Sequence, residues 1–325
     1  MRLTVIICTH NPSPEYFEKV ISGLRRQTLP KEEWELILVD NASDHPLANR
    51  GDISWHPNGR CVLEPELGLA YARQRGIRES QTAVIVFVDD DNILDTNYLV
   101  EVVKISGEWP HLGTWGAGII APEYEVQPSP AIQHLLCGLA LRKDEVYPYT
   151  PRMPWGAGLC IRTNVALAYS RMIETSEIII VGRRGTGFMA CDDKEMTYIS
   201  RELGFDTAVF PQLRLTHLIP RERVVPKYLL SLKYGDALST ALLEYKWNGV
   251  FPQTPFSVRG LLSALKNAVL TKDLRHALHF SRVRALMSAR GIIAKTHQSP
   301  RSLRSKIEEW YPSSTPDLGS SLSDS

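Results

Sequence analysis

The chain has 325 residues, 43% hydrophobic and 22% charged, with a formal net charge of +1 at pH 7. This is the composition of an ordinary folded soluble protein, long enough for one large domain or for one domain with a helical appendage. Near-neutral charge excludes a global field for nucleic acid and leaves only local basic surfaces, and no apolar run reaches the ~18–20 residues that span a bilayer.

The first half alternates short apolar runs with helical patterns. "LTVIICT" (3–9), "ELILVD" (35–40) and "AVIVFVDDD" (83–91) are β-rich runs, apolar on both faces as in a sheet covered by helices on both sides. Between the first two, Phe17, Val20, Ile21 and Leu24 fall at i, i+3, i+4 and i+7, with Ser13 as N-cap and Pro14 at the first helical position. "GLAYARQRGIRES" (68–80) predicts a second helix, and "DTNYLVEVVKIS" (95–106) a third, capped by Asp95. Strand, helix, strand, helix, strand reads as an α/β fold with a mostly parallel sheet and right-handed crossovers.

Further along, "GTWGAGIIAP" (113–122) and "PWGAGLCIRTNVA" (154–166) are glycine-rich segments leading into short strands, where glycine marks a tight turn or a close backbone approach. "SEIIIVGRRGTGFMACDDKEMTYISRELGF" (176–205) passes from an apolar run through a glycine loop into a helix whose buried face is Met196, Ile199 and Leu203. "TAVF" and "RLTHLIP" predict two more short strands. The expected division is a catalytic domain over 1–225, a helical extension over 226–295 broken by "FPQTPF", and a Ser-rich disordered tail over 296–325. The five cysteines, Cys8, Cys61, Cys137, Cys160 and Cys191, are scattered without a CxxC pair, which argues against a zinc site. Their odd number, with no leader-like segment before the first strand, suits a reducing, cytoplasmic setting.

Chemistry concentrates at the strand ends. "VDDDN" sets Asp89, Asp90 and Asp91 beyond a buried strand, where open α/β sheets bind ligands. Hard oxygen donors there suit Mg²⁺ or Mn²⁺; the same residues would serve equally as a solvated acidic turn. "LVDNASD" ends its strand in Asp40, Asn41, Ser43 and Asp44, able to bind a nucleobase or ribose or simply to form an Asx-turn. "ICTHNP" closes the first strand in the same polar manner. "ACDDKEM" puts Asp192, Asp193 and Glu195 in the first turn of a helix, where the macrodipole favours one or two acids at ~0.3–1 kcal/mol each. A carboxylate there can act as general base if it reaches a nucleophile's proton. His217, in "LRLTHLIP", is by itself more often structural than a ligand.

Taken in order, "VIICTHNP", "LVDNASD", "GLAYARQRGI", "FVDDDN", "CDDKEM" and "THL" resemble the family-2 glycosyltransferases, inverting enzymes with the nucleotide-sugar-binding GT-A fold, over roughly residues 1–220. The texture "PWGAGL…DD.EM…H.IPR" is similar to bacterial exopolysaccharide enzymes, including the hormogonium polysaccharide type. The resemblance implies that Thr9, through its backbone, and Asp40 contact the nucleotide base, and that Arg73 reaches the base or phosphates. It implies that Asp89 and Asp90 hold the ribose, Asp91 the metal, and that Asp193 is the catalytic base. Asp192 stands where the family has Glu, a departure that bears on acceptor contacts. His217 matches a histidine that in some members helps to bind metal or diphosphate. The "QxxRW" signature of processive synthases is absent, so repeated addition to one growing chain is not expected.

The implied partners are a nucleotide-sugar donor and a glycan or lipid-linked acceptor, with no nucleic acid. Trp115 and Trp155 would line the acceptor groove, or belong to the core. Between Val258 and Lys295 eight Lys or Arg face one acid, Asp273, so the extension is a candidate for peripheral contact with an anionic membrane, or a solvated helix pair. Rival readings are a sugar-phosphate nucleotidyltransferase, which would want a Gly-rich loop with a lysine or arginine near the first strand; a glycoside hydrolase, which needs no nucleotide crevice; and a non-catalytic nucleotide- or glycan-binding module.

Overall fold

The structure, a computed structural model, describes residues 1–47, 53–133, 135–136, 141–142, 153–184, 187–253, 265–266 and 274–296. The Ser-rich stretch 313–325, the second half of the break at 251–256 and the centre of the "GRRGTG" loop lie outside the described residues.

In chain order the strands are β1 (Leu3–Thr9), β2 (Trp34–Asp40), β3 (Gly59–Leu63), β4 (Val84–Asp89), β5 (Asn92–Leu94), β6 (Leu112–Tyr124), β7 (Leu141–Arg142), β8 (Cys160–Arg162), β9 (Arg183–Arg184), β10 (Gly187–Phe188) and β11 (Asp206–Ile219). The helices are α1 (Pro14–Arg25), α2 (Leu69–Glu79), α3 (Tyr98–Glu108), α4 (Pro130–Gln133), α5 (Thr163–Thr175), α6 (Asp192–Glu202), α7 (Pro226–Asn248) and α8 (Leu274–Ile293). Nine strands form one sheet in the order β3-β2-β1-β4-β8-β6-β11-β5, with β7 on β6; β9 and β10 pair separately as a small hairpin. The pairs β3·β2, β2·β1, β1·β4 and β6·β11 are parallel, while β8, β5 and β7 run against their neighbours.

The two-residue alternation of the strands feeds two cores. Ile6, Ile37, Val39 and Phe87 face α2, α5 and α6, a layer that α7 and α8 join through Leu238, Leu242, Trp247, Ala285 and Ala289. Leu3, Val5, Ile7, Leu36, Leu38 and Val86 face α1 and α3 on the other side. Helix α2 can lie close to β1 because position 76 is glycine: a Cβ there would stand 2.5 Å from Ile6 Cγ2.

Four local expectations are corrected. Helix α3 starts at Tyr98 behind Asn97 rather than at an Asp95 cap, because Asn92–Leu94 pair with β11 and the next three residues make the turn. The strand at 113–122 is not short but the interior of β6, a strand of 13 residues whose glycines mark close approach rather than a turn. Strand β8 stops at Arg162, and α5 follows; Val165, Ala166, Tyr169, Met172 and Ile173 have helical spacing and are buried on that helix. The two short strands expected at 207–210 and 214–220 are one strand, β11, whose register shifts between Phe210 and Arg214, around Pro211. No helix among the described residues is long and apolar enough to cross a membrane.

Candidate active site

Parallel register brings the polar strand ends together. Thr9 lies opposite Asp40, and Cys8 opposite Asp89. Beyond these ends opens a cavity of about 970 Å³, lined by Thr9, Asn41, Arg73, Asp89, Asp90, Asp91, Asp192, Asp193 and His217 among others. This is the crevice position at which doubly wound sheets bind ligands. Asp40 is not brought to the cavity, nor are Ser43 and Asp44 of the same strand end: the Asp40 Oδ1 accepts the N–H of Ser43 (3.0 Å) and its Oδ2 that of Leu47 (2.9 Å), which builds the turn after β2. Asn41 reaches the wall, but its side-chain amide braces the 64–68 loop, donating to Glu64 O and Glu66 O and accepting from Gly68 N–H. Thr9 donates its hydroxyl to Asp90 Oδ2.

Two arginines sit directly against the acids. Arg73, on α2 and 2% exposed, donates through Nη1 to Asp192 Oδ2 and sets Nη2 3.6 Å from Asp89 Oδ1, with its guanidinium over the Phe87 ring. It ties β4 to the start of α6. Arg223, in the 3₁₀ turn after β11, donates through Nη1 to Asp91 Oδ2 at 2.7 Å. His217 comes beside Asp91 because β5 pairs with β11, Asn92 against His217, and the Leu218 N–H is bonded to Asp91 O. Its Nε2 lies 3.6 Å from Asp91 Oδ2.

These partners sort the three aspartates. Burial pushes Asp89 up to about 6, with Arg73 pulling it back and Asp91 adding to the rise. Burial and the adjacent Asp91 push Asp90 up to about 7, against the Thr9 hydrogen bond. Burial would raise Asp91 as well, but the hydrogen bond with His217 and the charge of Arg223 outweigh it and hold Asp91 down to about 2. Asp91 is therefore the most acidic of the three, the one whose charge its neighbours stabilise most.

The three acids of the α6 first turn separate in the same way. Asp192 faces Arg73. Glu195, 1% exposed, turns the other way to Lys246 Nζ at 2.7 Å and accepts from Trp247 Nε1 at 3.2 Å, both on α7. Asp192 and Asp193 both reach the cavity wall, but Asp192 is bound to Arg73, whereas Asp193 is held by backbone amides: its Oδ2 accepts the Gly156 N–H at 2.9 Å and its Oδ1 the Lys194 N–H at 2.8 Å. Burial first, and then Asp192, raise its pKa against the pull of Arg73. Cys191, just ahead of the helix, has φ 73°, a left-handed conformation uncommon for a residue with a Cβ.

Trp155 lines the cavity, whereas Trp115 does not: it is fully buried in β6 beneath Arg162, so the indole expected at an acceptor groove is core. The glycines of β6 serve close packing, as at Gly116, where a Cβ would stand 2.9 Å from Pro154 Cβ. Sequence reasoning missed Arg223, six residues beyond His217 in "HLIPRER", and the wall made by Phe188, Tyr228, Leu229, Leu232 and Leu278. The "IPRER" run held a signal, since two arginines follow a strand end that carries a histidine.

Among the described residues no three His, Cys, Asp or Glu side chains cluster as a closed metal site. Asp91 and His217 instead form an open pair, one carboxylate and one imidazole on the cavity wall. Such a pair fits a divalent cation that keeps its remaining positions for water and phosphate oxygens.

The profile of Glycosyl transferase family 2 matches residues 4–173. Over 92 residues the chain is 32% identical to Glycosyltransferase AglE of Haloferax volcanii, which is 27% of this chain and 30% of that one. Over 104 residues it is 26% identical to the uncharacterized glycosyltransferase YwdF of Bacillus subtilis, 32% of this chain and 38% of the relative. The matches thus span about a third of the length of these curated relatives. Among solved structures, the mannosyltransferase PcManGT from Pyrobaculum calidifontis, in complex with GDP-Man and Mn²⁺, superposes with a TM-score of 0.53 at 16% identity, covering 96% of this chain and 81% of that one. The chain belongs to glycosyltransferase family 2, and its α/β architecture is of the GT-A type.

Proposed function

We propose that this glycosyltransferase is an inverting enzyme that moves a sugar from a nucleoside-diphosphate sugar to a hydroxyl group, with Asp193 as its base. The observation that carries the reading is the division of labour within one cavity: of the two α6 aspartates on its wall Asp192 is bound to Arg73, while Asp193 is held by backbone amides on the same wall system as Asp89, Asp90 and Asp91. Asp193 has one oxygen on the Gly156 amide and the other on its own helix, so its carboxylate is oriented before a substrate arrives. An acceptor hydroxyl placed against it gives up its proton as the oxygen attacks the anomeric carbon from the face opposite the leaving diphosphate. A positioned base of this kind contributes ~10²–10⁴-fold in rate, and its raised pKa makes it a stronger base than a solvated aspartate.

Asp91 and His217 would hold the divalent cation, and Mn²⁺ suits a mixed carboxylate and imidazole pair better than Mg²⁺. Bound there, the cation would stabilise negative charge on the departing diphosphate. Asp89 and Asp90 would meet the ribose, and Thr9 and Asn41 the nucleoside end of the cavity. Arg73, bonded to Asp192 and 3.6 Å from Asp89, would hold the two acidic segments together, and Asp40 would shape the turn after β2. The apolar wall of Phe188, Tyr228, Leu229, Leu232 and Leu278, with Trp155, suits a glycan face or the linked lipid of an acceptor, as in polysaccharide assembly at the inner face of a membrane. Helix α8, with four arginines and no acid, would favour an anionic surface there.

The test uses the purified full chain with UDP-, GDP- and dTDP-sugars, each with Mn²⁺, Mg²⁺ or EDTA, followed by donor hydrolysis and by thermal shift with the nucleoside diphosphates. GDP-mannose with Mn²⁺ is the first donor to try, given what the structural relative holds. A ligand at ~100 times its Kd adds roughly 2.7 kcal/mol of stability. Absence of both stabilisation and hydrolysis across the panel would sink the reading.

A further inference from the structure

We propose that Arg223 is a resident counter-cation that occupies the metal's place at Asp91 and His217 in the donor-free enzyme, and yields it only when metal and diphosphate arrive together. The inference rests on the reading of Asp91 and His217 as metal ligands. One nitrogen, Arg223 Nη1, stands 2.7 Å from Asp91 Oδ2 and 3.3 Å from His217 Nε2, the two atoms a cation would use. Those atoms are themselves 3.6 Å apart, so the guanidinium closes the pair on its open side.

The parts differ in freedom to move. Asp91 and His217 are pinned by the β5·β11 register and by the Leu218 amide, and their side chains are 9% and 13% exposed. Arg223 is 30% exposed and extends into the cavity from a 3₁₀ turn, on a side chain with several rotatable bonds. Its neighbour Arg221 is anchored outside the cavity on Glu125, at 2.7 Å, which holds the turn while leaving the Arg223 arm free to swing.

Electrostatics then couples the two ligands. A divalent ion arriving alone must break the Arg223–Asp91 pair and leave a guanidinium stranded beside a like charge. A diphosphate arriving with it supplies oxygens for both cations, and a guanidinium is well suited to take them in a two-pronged contact. Metal and nucleoside diphosphate therefore raise each other's affinity by the same factor, as linkage requires. The arrangement disfavours a metal-loaded but donor-free state.

The experiment measures Mn²⁺ binding to the full-length protein by titration calorimetry and by Mn²⁺ electron paramagnetic resonance. MnCl₂ is added alone and then with saturating UDP or GDP, for the wild type, Arg223→Met and Arg223→Lys. In the wild type the nucleotide should tighten Mn²⁺ by at least about fivefold, the lower end of ordinary coupling. In Arg223→Met, Mn²⁺ alone should bind at least about fivefold more tightly than to the wild type, and the nucleotide enhancement should shrink. Arg223→Lys, which keeps a charge but not the planar fork, should fall between, and it carries the test if the methionine variant does not fold. Unchanged Mn²⁺ affinity in the folded variants overturns the exchange and leaves the metal site standing. If the wild type takes up no Mn²⁺ with either nucleotide while the nucleotide alone stabilises it in EDTA, the metal assignment falls and the exchange with it, and donor binding survives.

Discussion

Asp193 Oδ2 accepts the backbone N–H of Gly156 at 2.9 Å, a contact between residues 37 apart in the chain. It joins the first turn of α6 to the glycine segment that leads into β8, and it orients the carboxylate that faces the cavity. An amide side chain can accept the same hydrogen bond but cannot take a proton. Asp193→Asn should therefore lower kcat by ~10²–10⁴-fold while leaving the thermal shift by nucleoside diphosphate and Mn²⁺ unchanged. A variant with wild-type turnover removes Asp193 from the chemistry.

The pKa shifts predict two pH dependences of defined sign. Asp193 acts as a base only when ionised, and burial with Asp192 raises its pKa, so kcat/KM should fall on the acid side through a pKa above that of an ordinary aspartate. Asp90 is likewise raised, to about 7 from 3.8, so its folded form binds protons that the unfolded chain has already lost. Its contribution to stability is intact below about pH 4 and is lost as pH rises to about 7. In EDTA, the Tm advantage of Asp90→Asn over the wild type should widen between pH 4 and 7 and then level off. A constant gap would show that Asp90 is not held in this way.

Arg73 lies between Asp192 and Asp89 with 3% of its side chain exposed. Arg73→Met leaves these carboxylates without their cation and should cost ~3–5 kcal/mol in urea unfolding. The double variant Arg73→Met/Asp192→Asn should recover part of that loss. Arg73 also lowers the pKa of Asp193, so any activity left in Arg73→Met should show its acid limb moved to higher pH. A purely structural role would leave the limb in place.

Glu195 and Lys246 are each 1% exposed at the side chain and pair at 2.7 Å across the contact of α6 with α7. Lys246→Met should destabilise by ~3–5 kcal/mol because it strands a buried carboxylate, whereas Lys246→Met/Glu195→Gln should recover most of it. Equal losses in the single and double variants would show that lysine packing, not charge, is what α7 supplies.

Much of the frame was legible because it is decided over short spans. The runs at 3–9, 35–40 and 83–91 became β1, β2 and β4, and the i, i+3, i+4, i+7 pattern at Phe17–Leu24 became α1 with Pro14 at its first position. Thr9, Asp89, Asp90, Asp91 and Asp193 stood out because polar groups closing an apolar strand, or opening a helix, contrast with their neighbours, whereas Arg73 was singled out, and His217 favoured as a ligand, only through the family resemblance. The glycine-rich segments left two readings open for a physical reason. Glycine marks either a turn or a close approach, and in β6 it was approach to Pro154 and Phe210, residues remote in the chain.

Sequence alone determined where acids would gather, because strand ends and helix starts are set by residues two to four positions apart. It did not determine which charge neutralises which. Asp192 meets Arg73 across 119 residues, and Asp91 meets Arg223 across 132. Only the folded chain brings such partners within reach and strips away the water that would otherwise screen them. His217 and Arg223 thereby hold Asp91 down against its burial, desolvation pushes up Asp90 and Asp193, and hydrogen bonds from Ser43 and Leu47 make Asp40, as acidic as the others in sequence, a brace for its own loop.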